Sequence, residues 1–212
     1  IETAEDVAKL DGDGIYEKLQ YVGDSLSLSR NQLGTEKALI GFCGSPWTVA
    51  TYMIEGGSSR DYSRAISMLT EKPELFYSIL EKITTSTIDY LKMQINAGID
   101  VVQIFDSWGG ALSMDTFWSG SAQYMNEIVK AIGDKIPVII FSKGSHDKIK
   151  DLKKIGGNVY GVDSSISIFQ FWDDLGGEFA VQGNLNPDFM STTPEIVKKE
   201  TLKILNEFGK RN

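Results

Sequence analysis

From Lys37 onward, short runs rich in β-branched and aromatic residues alternate with longer segments of helical period, and this rhythm limits the fold more than any single motif does. Five runs read as strands: residues 38–42 (ALIGF), 100–105 (DVVQIF), 137–141 (PVIIF), 159–162 (VYGV) and 179–182 (FAVQ). They are apolar at nearly every position, which predicts parallel strands covered on both faces. The segments between them carry helix punctuation. Pro73 opens a long helix in which Leu75, Ile79, Ile83, Ile88 and Leu91 fall near one face, and Gly98 stops it. Further helices are expected over about 114–132, 145–155, 166–175 and 194–208, the last three ended by Gly156-Gly157, Gly176-Gly177 and Gly209. The first ~35 residues read as weakly periodic helix, broken by Gly12, Gly14 and Gly23.

Strands separated by single helices at short intervals are the mark of consecutive right-handed βα units around a barrel. The expected fold class is therefore α/β, a (β/α)8 TIM barrel. A full barrel takes roughly 250 residues, and this chain of 212 residues holds about five of the eight strands. The expectation is a single domain over residues 1–212, an incomplete barrel whose edge runs 38–42 and 179–182 lack neighbours.

Composition removes several function classes. A formal net charge of −8, with arginine only at Arg30, Arg60, Arg64 and Arg211, argues against a nucleic-acid or anionic-membrane surface. One Cys and one His cannot supply the ligands of a Cys/His zinc site, and Cys43 alone cannot form an intrachain disulfide. No Cys/His metal site is therefore expected. No apolar run reaches the ~18 residues of a membrane span, and the acidic opening IETAEDVAKLDGDG does not resemble a secretory signal, so a cytoplasmic protein is expected.

In a βα barrel the chemistry sits in the loops after the strand C-termini. Five loops qualify, opening on Cys43, Asp106, Ser142, Asp163 and Gly183. Asp106 and Asp163 directly follow buried strands, where a carboxylate either caps a helix or partners a donor in the mouth. Lys143 reads as a Schiff-base lysine of an aldolase-like barrel, as a carboxylate binder, or as an ion-pair partner of either aspartate. His146 reads as a solvated first-turn residue or a catalytic base, and Cys43 as a small core residue. Neither GxGxxG nor GxxxxGK[ST] follows a strand, so a nucleotide site is not expected.

The segment IGFCGSPWTVATYMIEGGSS over residues 40–59 closely resembles the uroporphyrinogen decarboxylase family. The same family is matched by Asp89-Tyr90-Leu91, VVQIFDSWGGALS (101–113), IIFSKG (139–144), Gly161-Val162-Asp163 and QGNLNP (182–187), in family order and spacing. The resemblance implies a barrel enzyme, a carboxy-lyase that is usually a homodimer. It would turn the four acetate side chains of uroporphyrinogen III into methyl groups, giving coproporphyrinogen III in haem and porphyrin biosynthesis, without a cofactor. By motif position, Tyr52 and Ser107 match the family's substrate-binding tyrosine and serine. Protonating a pyrrole α-carbon makes the substrate its own electron sink, so the protein must position carboxylates and stabilise a cationic ring.

The family's arginine-bearing RQAGRY-type segment, its early-strand aspartate and its NLGHG-type segment have no counterpart here. The catalytic residues are therefore unassigned, and the chain alone is expected to be inactive. Ser164 stands where the family usually has tryptophan, and Asn186 where it has aspartate. Three other readings remain: a Lys143 Schiff-base enzyme, a non-catalytic fragment that binds a porphyrinogen or a partner, and a zinc-using corrinoid methyltransferase, ranked low because its ligands are missing.

Overall fold

The computed structural model describes residues 1–208, and the sequence rhythm becomes one sheet of five parallel strands in chain order. The strands are β1 (Ile40–Gly44), β2 (Val101–Asp106), β3 (Val138–Ser142), β4 (Val159–Gly161) and β5 (Ala180–Gln182). All five expected strands form, with the pairing of the first three displaced toward the loops. Three helices precede the sheet: α1 (Ala4–Ala8), α2 (Ile15–Lys18) and α3 (Gln20–Leu33). Between β1 and β2 run α4 (Pro46–Glu55), α5 (Ser63–Glu71) and α6 (Pro73–Asn96). The long helix expected after residue 114 is divided into α7 (Met114–Phe117) and α8 (Gln123–Ile132) by a π-helical stretch, Trp118–Ala122. Then come α9 (Ile149–Ile155) after β3, α10 (Ile168–Asp174) after β4 and α11 (Pro194–Phe208) after β5. Gly209, the expected stop of α11, lies outside the described residues.

The two sides of the sheet differ. Register places Val102 beside Val138, Ile104 beside Ile140 and Asp106 beside Ser142. On that side, Val102, Ile104, Val138, Ile140, Tyr160 and Val162 are buried with Phe76, Ile79, Leu80, Met125 and Ile128 of the helices. Each such side chain contributes about 1.5–3 kcal/mol by leaving water. The opposite side carries a row of rings, Phe42, Phe105 and Phe141, in edge-on contact at 6.0 and 5.9 Å.

Cover on both faces, expected for every strand, is confined to the middle of the sheet. Gln103 and Ile139 are buried there, but Ile40 and Phe42 of β1 are 46% and 60% exposed, and Ala180 and Gln182 of β5 are exposed. A residue on an edge strand has a neighbour on one side only, so its inward side chain is sheltered by half as many others.

Candidate functional site

The loops after β1, β2 and β3 meet around Asp106, which is fully buried. Ser45 Oγ donates to Asp106 Oδ1 at 2.6 Å and Ser142 Oγ donates to Oδ2 at 2.6 Å, with Thr48 Oγ1 at 3.5 Å from Oδ1. Ser142 Oγ also lies 2.8 Å from Ser145 Oγ. No Lys, Arg or His among the described residues is within hydrogen-bonding reach of this carboxylate. Burial therefore pushes the Asp106 carboxyl up, and the hydroxyls of Ser142, Ser45, Ser121 and Thr48 only partly offset it. Asp106 thus caps no helix; its partners are hydroxyls of two of the mouth loops, those of Ser45 and Ser142, met on the helix side of β2 where Ile104 also lies. Ser45 is the residue that caps, accepting from the Thr48 amide at the start of α4.

Gly109 lies against this cage. A Cβ there would stand 2.1 Å from Asp106 Oδ2, 2.3 Å from Ser142 Oγ and 2.8 Å from Ser145 Oγ, so a residue without a side chain is needed.

Tyr52, on α4, is 42% exposed and its ring sits 6.3 Å from that of Trp108. Ser107 is half-buried and directly precedes Trp108. The two residues singled out by the family motif therefore share one corner of the rim, and among the described residues neither hydroxyl has a hydrogen-bond partner. Trp108 is held by Trp47, whose Nε1 donates to its carbonyl at 2.9 Å, and by Tyr62, whose ring is 4.8 Å away. Tyr62 is buried and adopts φ 54°, a left-handed conformation unfavourable for a bulky residue and held here by the packing around its ring.

Lys143 and Asp163 line a different space, a cavity of about 760 Å³ with Phe141, Asn184, Leu185 and Leu205. Lys143 is exposed and makes no ion pair with Asp106 or Asp163, so the burial on which a Schiff-base lysine depends is missing. Partial burial opposes ionisation of Asp163, but hydrogen bonds from Ser165 Oγ and from the amides of Gly144 (2.7 Å) and Ser165 (2.8 Å) together hold its carboxyl below the usual range. His146 is half-buried, with Nδ1 enclosed and unpaired, in contrast to the solvated residue expected. Cys43 is buried, and burial pushes its thiol up to about 12. Asn186 accepts from the Asp188 amide at 2.9 Å, a bond that an aspartate would make equally. Among the described residues no group of three or more His, Cys, Asp or Glu is placed to hold a metal, and no helix is long and apolar enough to cross a membrane.

The family model for uroporphyrinogen decarboxylase matches residues 1–212. The chain belongs to that family. It is 40% identical over 214 residues to the uroporphyrinogen decarboxylase of Alkalilimnicola ehrlichii, an alignment that takes in 99% of this chain and 59% of that protein. Against the uroporphyrinogen decarboxylase of Campylobacter jejuni the identity is 47% over 192 residues, covering 88% and 56%. The chain thus spans between half and three-fifths of the length of these relatives. A methyltransferase from Methanosarcina mazei superposes with a TM-score of 0.77 at 18% identity, over 87% of this chain and 54% of that one. That likeness shows the barrel-type fold alone.

For a chain of this family, sequence reasoning placed Ser45 and Ser142 in mouth loops without assigning them the role of holding Asp106, and it overlooked the ring of Tyr62. Ser45 carried a legible signal, since Ser before Pro-Trp is an N-cap pattern. Ser142 was legible only as the start of a mouth loop and Tyr62 not at all, because their partners are distant in sequence.

Proposed function

We propose that this chain forms part of a uroporphyrinogen decarboxylase that converts uroporphyrinogen III to coproporphyrinogen III by removing four acetate carboxylates without a cofactor. The observation that carries the reading is that Tyr52, in a chain of this family, packs on Trp108, the residue that follows Ser107, with both hydroxyls unused among the described residues. Unused hydroxyls beside an aromatic surface suit pyrrole rings bearing carboxylates and N–H groups. The electrons released as carbon dioxide leaves pass into the protonated pyrrole, so the site has to orient substrate and supply protons. The cytoplasm as its compartment, a homodimeric assembly and one domain over residues 1–212 belong to the same proposal.

The test is turnover of uroporphyrinogen III by this chain and by a version extended to the length of its relatives. Product formation by the extended protein, lowered about tenfold in kcat/KM by Tyr52→Phe or Ser107→Ala, is the expected result. Absence of turnover from the extended protein, with retention of bound uroporphyrin, would favour a binding role instead.

A further inference from the structure

We propose that Asp106 is a positioning residue, whose carboxyl ties the loops after β1, β2 and β3 into one unit and thereby sets where Tyr52 and Ser107 present their hydroxyls. The significance for substrate rests on the decarboxylase reading, whereas the tie itself rests on geometry alone.

One oxygen of Asp106 holds the β1 loop. Its partner, Ser45, donates its amide to Phe105 O at 2.8 Å and caps α4, the helix that carries Tyr52 two turns further on. The other oxygen holds the β3 loop through Ser142, which leads to Ser145. The backbone repeats the connection: Lys143 N donates to Asp106 O at 3.1 Å, and Gly110 N donates to Lys143 O at 2.9 Å. Ser107 and Trp108 lie between these anchors. Gly110 is confined too, less tightly than Gly109: a Cβ on it would stand 2.9 Å from the carbonyl oxygens of Lys143 and Gly144.

An apolar residue would fill this volume at lower cost. A buried carboxyl with only hydroxyl partners is expensive, and what it provides that a leucine cannot is a fixed mutual placement of the groups it bonds. That placement is directional: the two short arms, through Ser45 and Ser142 at 2.6 Å each, end on loops of the rim.

Asp106→Asn keeps the shape and turns one acceptor into a donor that faces a serine hydroxyl. Hydrogen exchange and steady-state kinetics would be measured on the extended protein, with Ile128→Ala, a fully buried change in α8, as a control for lost stability. The expected result is exchange about tenfold faster at the amides of Ser45, Thr48, Gly110 and Lys143, together with a fall in kcat of about tenfold per folded molecule. Ile128→Ala should lower the melting temperature at least as much and leave kcat unchanged. Faster exchange confined to 106–110, or a kcat that follows Ile128→Ala, would overturn the proposal. If the wild-type protein turns nothing over, the decarboxylase reading falls and the spread of exchange to both neighbouring loops decides alone. Should Asp106→Asn fail to fold, Ser142→Ala cuts one arm and is expected to speed exchange in the β3 loop while sparing Ser45.

Discussion

The two sides of the same five strands have opposite characters. Toward the helices, Val102, Ile104, Val138 and Ile140 are almost completely enclosed, and even the polar residue of that row, Asp106, has every hydrogen bond internal. On the other side Phe42 is 60% exposed, and Lys143 and Asp163 border an open cavity. Neighbouring residues of one strand thus answer to different demands, because successive side chains point to opposite faces. One face is committed to holding the sheet in shape, which leaves the other free to serve chemistry.

The largest expected contrast is in stability. Ile104→Ala should cost about 3–4 kcal/mol in urea unfolding, and Phe42→Ala less than about 1 kcal/mol. Equal losses would break the comparison by showing that the open face is packed in solution. Glycines sharpen the same contrast. Gly109→Ala drives a methyl into the Asp106 cage and should cost about 2–3 kcal/mol, while Gly56→Ala, with φ +79° and open space around it, should cost about 1 kcal/mol from backbone strain alone.

The carboxylates of the two sides should respond to pH with opposite sign. The Asp106 carboxyl is raised by burial, so its folded form takes up a proton more readily than the unfolded chain. Its contribution to stability is full below the ordinary aspartate value and is lost as pH rises through the folded one. For Asp163, burial is outweighed by the hydrogen bonds from Ser165 and Gly144, and its carboxyl is lowered. That contribution is full above the ordinary value and is lost as pH falls through the folded one. Urea midpoints measured across pH should therefore lose their alkaline-side decline in Asp106→Asn and their acid-side decline in Asp163→Asn. Two variants that shift the curve in the same direction would contradict the assignment. The smallest effect is expected at exposed Lys143: Lys143→Gln should change stability by less than about 0.5 kcal/mol, and borohydride should trap no substrate adduct on the wild-type side chain.

Much of the architecture was legible from the chain. The apolar runs locate all five strands, Pro73 and Gly98 bracket the long helix, and the loops that open on Cys43, Asp106, Ser142, Asp163 and Gly183 lie after the strands where a barrel mouth belongs. The π-helical stretch at Trp118–Ala122 was not legible, since its residues fit a continuous helix and its small buried side chains pack against distant neighbours. For the site, Tyr52 and Ser107 were reached through a family motif. For Asp106 the sequence left a cap and a partner of mouth donors both open, because proximity to a loop does not reveal which side of the strand the carboxyl faces, or that the hydroxyls of Ser45 and Ser142 meet it there.

What the sequence determined by itself was the alternation of strand and helix, the family and the loops that form the rim, because each depends on residues close together in the chain. Only the tertiary structure decided which polar groups are consumed and which are left for a ligand. Asp106 meets Ser45 across 61 residues and Ser142 across 36, and Tyr62 stacks on Trp108 from a separate loop. A hydrogen bond between residues so far apart is specified by the packing that brings them together, and that packing is a property of the whole sheet and its helices.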